Sequence, residues 1–174
     1  GSRNVAYAAA HDNYTLWDQI RGAKYGEQPA LYYDNADEND VKRCKLVASA
    51  YMMSTGISFM LAGEEMGRTK YGNENSYNSP AKLNRIAWTR QKEFSDLRAF
   101  YKELIALRRQ YGPQLFSYEK STSAAYCYGS FGVTDYESGR FTFSRTQGGA
   151  TLALDLNPST LTGTVKIGAK TLRV

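Results

Sequence analysis

Val5-Ala6-Tyr7-Ala8-Ala9-Ala10-His11-Asp12-Asn13 decides how this chain is read. A short apolar run closing on His-Asp-Asn fits a buried strand by its length, although alanine-rich runs also suit helices. The pattern recurs downstream. Ile57-Ser58-Phe59-Met60-Leu61-Ala62 is a second short apolar run, and Gly63-Glu64-Glu65 closes it. Between the two lie a short helical stretch at Leu16–Ile20 and a polar loop from Arg21 to Asn39. Asp40 is then placed to cap a helix in which Val41, Cys44, Val47, Ala48, Tyr51 and Met52 recur at helical spacing. Gly56 suits the position just past that helix. The order strand, loop, helix, strand makes the second strand parallel to the first. A parallel pair calls for helices on both faces or for a closed barrel.

Residues 66–90 read as a second long loop. After it, Leu97, Phe100, Tyr101, Leu104 and Ile105 form an apolar helical stripe, with Ser95 as its cap and Gly112-Pro113 as its end. Beyond Pro113 the pattern changes to short β-type runs at Leu115–Tyr118, Ala124–Tyr128, Arg140–Ser144, Thr151–Leu156, Thr164–Ile167 and Lys170–Val174. These predict a small antiparallel sheet or sandwich. The expected division is therefore 1–112 and 113–174.

Composition narrows the classes. Hydrophobic residues are 42% and charged residues 22% of the 174, which is globular rather than disordered. The net charge of +5 is spread without a basic run, so nucleic acid is not an expected partner. Arg108-Arg109 reads as a solvated helix face. No apolar stretch is long enough to span a membrane. Cys44 and Cys127 match no metal spacing and read as free, buried thiols. The 14 tyrosines offer flat faces with polar tips, suited to a sheet core or to sugars. Gly1-Ser2 reads as a cloning remnant, which suggests a piece of a longer protein. The compartment stays open.

His11-Asp12 is the best candidate for chemistry. Residues at the C-terminal ends of parallel strands project to where ligands bind. An aspartate there can face a cationic transition state, and the histidine can donate to a hydroxyl; equally, the pair can simply anchor a loop. Glu64 or Glu65 could face Asp12 as a second carboxylate, since glycoside hydrolysis uses two. Alternatively, they pair with Arg68 or Lys70 and hold the loop.

Several segments together resemble one family. Ala10-His11-Asp12-Asn13-Tyr14-Thr15-Leu16-Trp17-Asp18 is similar to the seventh-strand motif of pullulanase-type debranching enzymes of the α-amylase superfamily of glycoside hydrolases. Gly56 through Lys70 resembles their eighth strand and its loop. Gly72-Asn73-Glu74-Asn75-Ser76-Tyr77-Asn78 and Asn84-Arg85-Ile86-Ala87-Trp88 also match. The resemblance covers residues 4 to about 112. It implies an α+β piece: the last two βα units of a (β/α)8 TIM barrel, followed by a small antiparallel β-sandwich domain. It implies cleavage of α-1,6 branch linkages in pullulan, starch or glycogen-type glucans, with retention. Asp12 matches the transition-state-stabilising aspartate and His11 a histidine that holds the same sugar; Asn13, Arg68, Asn75 and Tyr77 match substrate-binding positions. The family's nucleophile and acid/base lie on its fourth and fifth strands and are absent here, so this chain alone is expected to be inactive. Ser58 stands where the family commonly has proline. Ala81-Lys82 stands where many members carry an aspartate.

No cofactor or metal site is expected in these residues, with calcium left open for the whole enzyme. The expected partners are an α-glucan and the missing N-terminal part of the barrel. Two strands cannot close a barrel, so the chain is also expected to self-associate. The alternative is a non-catalytic carbohydrate-binding or partner-dependent module, with the tyrosine-rich β-region as its surface.

Overall fold

The computed structural model describes residues 5–25, 30–116, 130–135 and 139–174. Strands β1 (Val5–Ala6) and β2 (Ile57–Ser58) pair in parallel, with Val5 opposite Ile57 and Ala6 opposite Ser58. Each is two residues long, although the backbone contact runs on through Phe59, whose N–H donates to the Ala6 carbonyl at 3.0 Å. The expected six-residue buried strands are therefore corrected. Their side chains alternate instead. Val5, Tyr7, Ile57 and Phe59 are exposed, whereas the intervening Ala6 and Ala8 and, beyond Phe59, Met60 pack against the core. Only one face has a packed layer against it, so the apolar residues of the other face meet water.

Helix α1 (Leu16–Tyr25) is longer than the expected stretch to Ile20. Thr15 caps it, its Oγ1 accepting from the Asp18 N–H at 3.1 Å. A 3-10 turn at Ala30–Tyr33 occupies part of the expected loop. Helix α2 (Glu38–Met52) starts at a different cap: Asp37, not Asp40, accepts from the Asp40 N–H at 3.0 Å. Asp40 is inside the first turn and fully buried between Arg21, at 3.1 Å, and Arg43, at 2.7 Å. That charge lies at the positive end of the helix dipole. The helix ends at Met52, and Gly56 lies in the following turn at φ 87°.

Residues 64–66 form a 3-10 turn, and α3 (Ala81–Asn84) and α4 (Arg90–Glu93) interrupt what the sequence reads as one loop. Helix α5 (Ser95–Tyr111) follows, and Ser95 is its first residue rather than a side-chain cap. Its buried stripe is Leu97, Phe100, Tyr101, Leu104 and Leu107; Ile105, expected in the stripe, is turned outward. The chain does not stop at Gly112-Pro113 but continues as a π-helical turn through Phe116. This corrects the strand expected to start at Leu115, whose remaining residues 117–118 lie outside the described residues.

The C-terminal region is one antiparallel meander: β3 (Ser130–Asp135), β4 (Arg140–Gln147), β5 (Ala150–Asn157), β6 (Thr162–Ile167) and β7 (Lys170–Arg173), in that order. Strand β3 was not expected from sequence, and the run at Ala124–Tyr128 lies outside the described residues. Period-two alternation puts Ala150, Leu152, Leu154 and Leu156 on one face. Register aligns Phe143, Leu154, Val165 and Leu172 across four strands. This face packs on α2 and on the turn at 112–116. A Cβ on Gly163 would come within 2.8 Å of Leu46 on α2, so only glycine permits that approach. A single apolar cluster runs from Trp17 and Phe94 through α2 and α5 to Leu152 and Ile167. The fold is α+β with an antiparallel sheet. Among the described residues the C-terminal region forms a single sheet. Cys44 is a free buried thiol, as expected, and Cys127 lies outside the described residues.

Candidate functional site

The segments after β1 and β2 are stitched together by Asp18. Its Oδ1 accepts from the Thr69 hydroxyl and its Oδ2 from the Lys70 N–H at 2.8 Å. Both residues belong to the loop after β2, and Asp18 sits in the first turn of α1. Burial raises the Asp18 carboxyl pKa above its ordinary value, and these hydrogen bonds only partly oppose that. Lys70 completes the stitch, donating from Nζ to the His11 carbonyl at 3.2 Å. Burial lowers the Lys70 ammonium pKa, and the charges of Asp18 and Asp12 pull it back up.

His11 and Asp12 thus stand at the surface on a fixed backbone. His11 Nε2 lies 3.3 Å from Asp12 Oδ2, and their side chains are 86% and 75% exposed. Asn13 takes a left-handed φ of 61°, a conformation asparagine tolerates, and turns the chain toward α1. The Asp12 side chain is thus largely open to solvent, with Oδ2 facing the His11 ring.

Glu64 does not complete a carboxylate pair with Asp12. Glu64 points into the core, where its Oε1 accepts from Tyr51 Oη at 2.7 Å and Tyr101 Oη at 2.6 Å. Burial raises its pKa, against the two phenol donors. It therefore pairs with neither Arg68 nor Lys70, which corrects the loop-holding reading for this residue.

Arg68 is engaged in structure. Its Nη1 donates to the Ala62 carbonyl at 3.0 Å and its Nη2 to the Asn84 carbonyl at 2.7 Å. Asn84 also grips the loop, its amide donating to the Ser76 carbonyl at 2.7 Å and its Oδ1 accepting from the Ser76 hydroxyl at 2.9 Å. Between them Asn75 and Tyr77 are held outward, Tyr77 at 80% exposure. The structure thus binds His11, Asp12 and Asn13 to the root of the 64–78 loop through Lys70, and presents Asn75 and Tyr77 on the loop itself.

Two positioning residues escaped the sequence reading. Asp18 closes the Ala10–Asp18 motif, but nothing in the sequence shows that its carboxylate reaches Thr69 and Lys70. Arg108, read as solvated, donates to the carbonyls of Met52, Ser54 and Gly56 at 2.5–2.7 Å and so fixes the turn leading into β2. Its neighbour Arg109 is exposed, as expected. Among the described residues no group of three or more His, Cys, Asp or Glu is arranged to hold a metal ion, and no described helix is long and apolar enough to cross a membrane.

Comparison with known proteins places this arrangement. No family model matches the chain. A pullulanase of Bacillus subtilis strain 168 is 33% identical over 108 residues, covering 62% of this chain and 14% of the pullulanase. An isoamylase from a Flavobacterium species is 27% identical over 121 residues, covering 61% of this chain and 16% of its own. Among solved structures, a pullulanase from Bacillus acidopullulyticus superposes with TM-score 0.68 at 25% identity, covering 95% of this chain and 20% of that one. A pullulanase from Paenibacillus barengoltzii, solved with maltohexaose and alpha-cyclodextrin, gives 0.65 at 26% identity, covering 88% and 23%. The chain is thus similar to one part of pullulanases and isoamylases. It spans only about a seventh of the length of these curated relatives.

Proposed function

We propose that this chain is the C-terminal part of a debranching hydrolase that cleaves α-1,6 linkages in pullulan-, starch- or glycogen-type glucans with retention. Residues 1–112 supply the last two βα units of the (β/α)8 barrel and 113–174 the β-domain. Asp12 stabilises positive charge on the sugar at the cleavage point, and His11 donates to a hydroxyl of the same unit. Asn13, Asn75, Tyr77 and the loop pinned by Arg68 contact the glucan. The scheme needs no cofactor. Nucleophile and acid/base lie elsewhere in the whole enzyme, so this chain alone does not hydrolyse glucan; covalent catalysis requires both groups.

The observation that carries the reading is the parallel pairing of β1 with β2, which brings the His11–Asp12 segment and the loop after Leu61 to the same ends of the two strands. The test is a chimaera in which residues 5–112 replace the aligned stretch of the Bacillus subtilis pullulanase. Pullulan hydrolysis, followed by release of reducing ends, should persist and should vanish with Asp12→Ala. A folded chimaera without activity, or one indifferent to Asp12→Ala, overturns the proposal.

A second reading rests on a separate observation. Val5, Tyr7, Ile57 and Phe59 are exposed together on the β1–β2 pair, with the Tyr7 and Phe59 rings 6.1 Å apart edge to face. This surface is where the remaining barrel would pack. In its absence the chain pairs with itself, and a monodisperse monomer in light scattering would refute self-association.

A further inference from the structure

The segment between β2 and α5 borders a pocket of about 390 Å³ that His11, Asp12, Asn13, Asn75 and Tyr77 do not line. Its volume is that of a small-molecule site. Its apolar lining comes from Met66, Pro80, Leu83, Ile86 and Ala87, with the Tyr71 ring beside them. Its charged lining is of one sign: Arg68, Lys82, Arg85 and Arg90, with no carboxylate among the lining residues.

The four cations differ in how far they are satisfied. Arg90 is nearly buried and paired with Asp34 at 3.3 Å, and its Nη2 donates to the Tyr33 carbonyl at 3.0 Å. Its Nε is nonetheless buried without a hydrogen-bond partner, and so is the Nε of Arg68. Lys82 and Arg85 are exposed, and no ion pair is found for either among the described residues. The Arg68 and Arg90 guanidiniums are thus taken up by the protein, which leaves Lys82 and Arg85 as two exposed cations without a counter-charge beside an apolar floor. A carboxylate forms charge-assisted hydrogen bonds with such groups.

We infer that this pocket binds an amphipathic organic anion: an aryl or short alkyl body on the apolar floor, with a carboxylate toward Lys82 and Arg85. A neutral glucan would leave Lys82 and Arg85 without a counter-charge, which a carboxylate supplies. The site is linked to the His11 loop. Thr69 lines it and bonds Asp18, and the next residue, Lys70, bonds the His11 carbonyl. An occupant that stiffens residues 66–87 therefore stiffens the backbone that carries His11 and Asp12.

The test uses the full chain and calorimetry with 4-phenylbutyrate, its uncharged alcohol 4-phenylbutanol, inorganic phosphate and maltotriose. Saturable 4-phenylbutyrate binding is expected, at least tenfold tighter than the alcohol and than phosphate. The double variant Lys82→Ala/Arg85→Ala should weaken it about tenfold without changing the melting temperature. Ala87→Trp, which fills the floor, should abolish it. Absence of saturable binding overturns the inference, as does equal affinity for the alcohol, or binding unaffected by both variants. Competition by maltotriose would reassign the pocket to glucan. None of these readouts depends on hydrolysis, so failure here is separable from failure of the debranching proposal.

Discussion

Replacing Arg108 by alanine tests how the turn before β2 is held. The guanidinium lies across the end of α2, donating to Met52 and Ser54 from Nη1 and to Gly56 from Nη2, all within 2.7 Å. It also stacks 4.6 Å from the Phe116 ring centroid. A cation over the last carbonyls of a helix opposes the negative end of its dipole. Hydrogen bonds from charged donors contribute about 1.5–3 kcal/mol each when nothing replaces them. These carbonyls are only part-buried. Water recovers some of the loss, and about 1 kcal/mol per bond is the better figure. Arg108→Ala should therefore cost about 3 kcal/mol. At about 2–4 °C per kcal/mol for a chain of this size, the melting temperature should fall by about 6–12 °C in circular dichroism. Arg108→Lys should recover less than half, because an ammonium cannot fork to three carbonyls or stack on a ring. A fall of less than about 2 °C for Arg108→Ala would refute the claim that this arginine, rather than the apolar packing around it, holds the turn.

Glu64→Gln should change the pH dependence of stability. The folded pKa of Glu64 is raised by burial, so its contribution is fully present below its usual 4.5 and declines as pH rises through the folded value. The urea midpoint of the parent chain relative to the variant should fall between pH 4 and pH 8; a constant difference would show that Glu64 does not titrate differently on folding. Gly67→Ala should destabilise by about 2–4 kcal/mol, since its φ is +63° and a Cβ would come within 2.8 Å of Phe94 Cδ1. Gly112→Ala meets no atom within 4 Å and has a helical φ of −55°, so a gain of about 0.4–1 kcal/mol is expected by the same urea titration. Asp12→Ala should leave the urea midpoint within about 0.5 kcal/mol of the parent, because the side chain is solvent-facing and supports no packing. A large loss there would make Asp12 a loop anchor rather than a residue for substrate.

Periodicity made the long elements legible. The stripe on α5 and the alternation on β4 to β7 each put one face in the core, and burial of apolar surface follows from that spacing. Cys44 announced its burial in the same way, lying on the apolar face of α2. The short motif Ala10–Asp18 pointed to the site because neighbouring residues are ordered by the chain itself. Boundaries were less legible. Asp37 and Asp40 are equally good capping residues in sequence. The buried Arg21 decides between them, drawing Asp40 inside the helix and leaving the cap to Asp37.

Sequence alone therefore determined the class and order of the long helices α2 and α5 and of strands β4 to β7, and the residues offered as a sugar-facing pair. Tertiary structure decided where the charges went. Glu64, Arg68 and Arg108 look alike in sequence as surface ionisable residues. Whether such a side chain meets water, a phenol or an orphaned carbonyl depends on what the fold packs beside it. Glu64 meets Tyr51 and Tyr101 from two helices, and Arg108 meets the end of a third segment more than fifty residues away in the chain. His11 and Asp12 remained at the surface for the complementary reason: no described element packs over them, so their polar atoms stay available to a ligand.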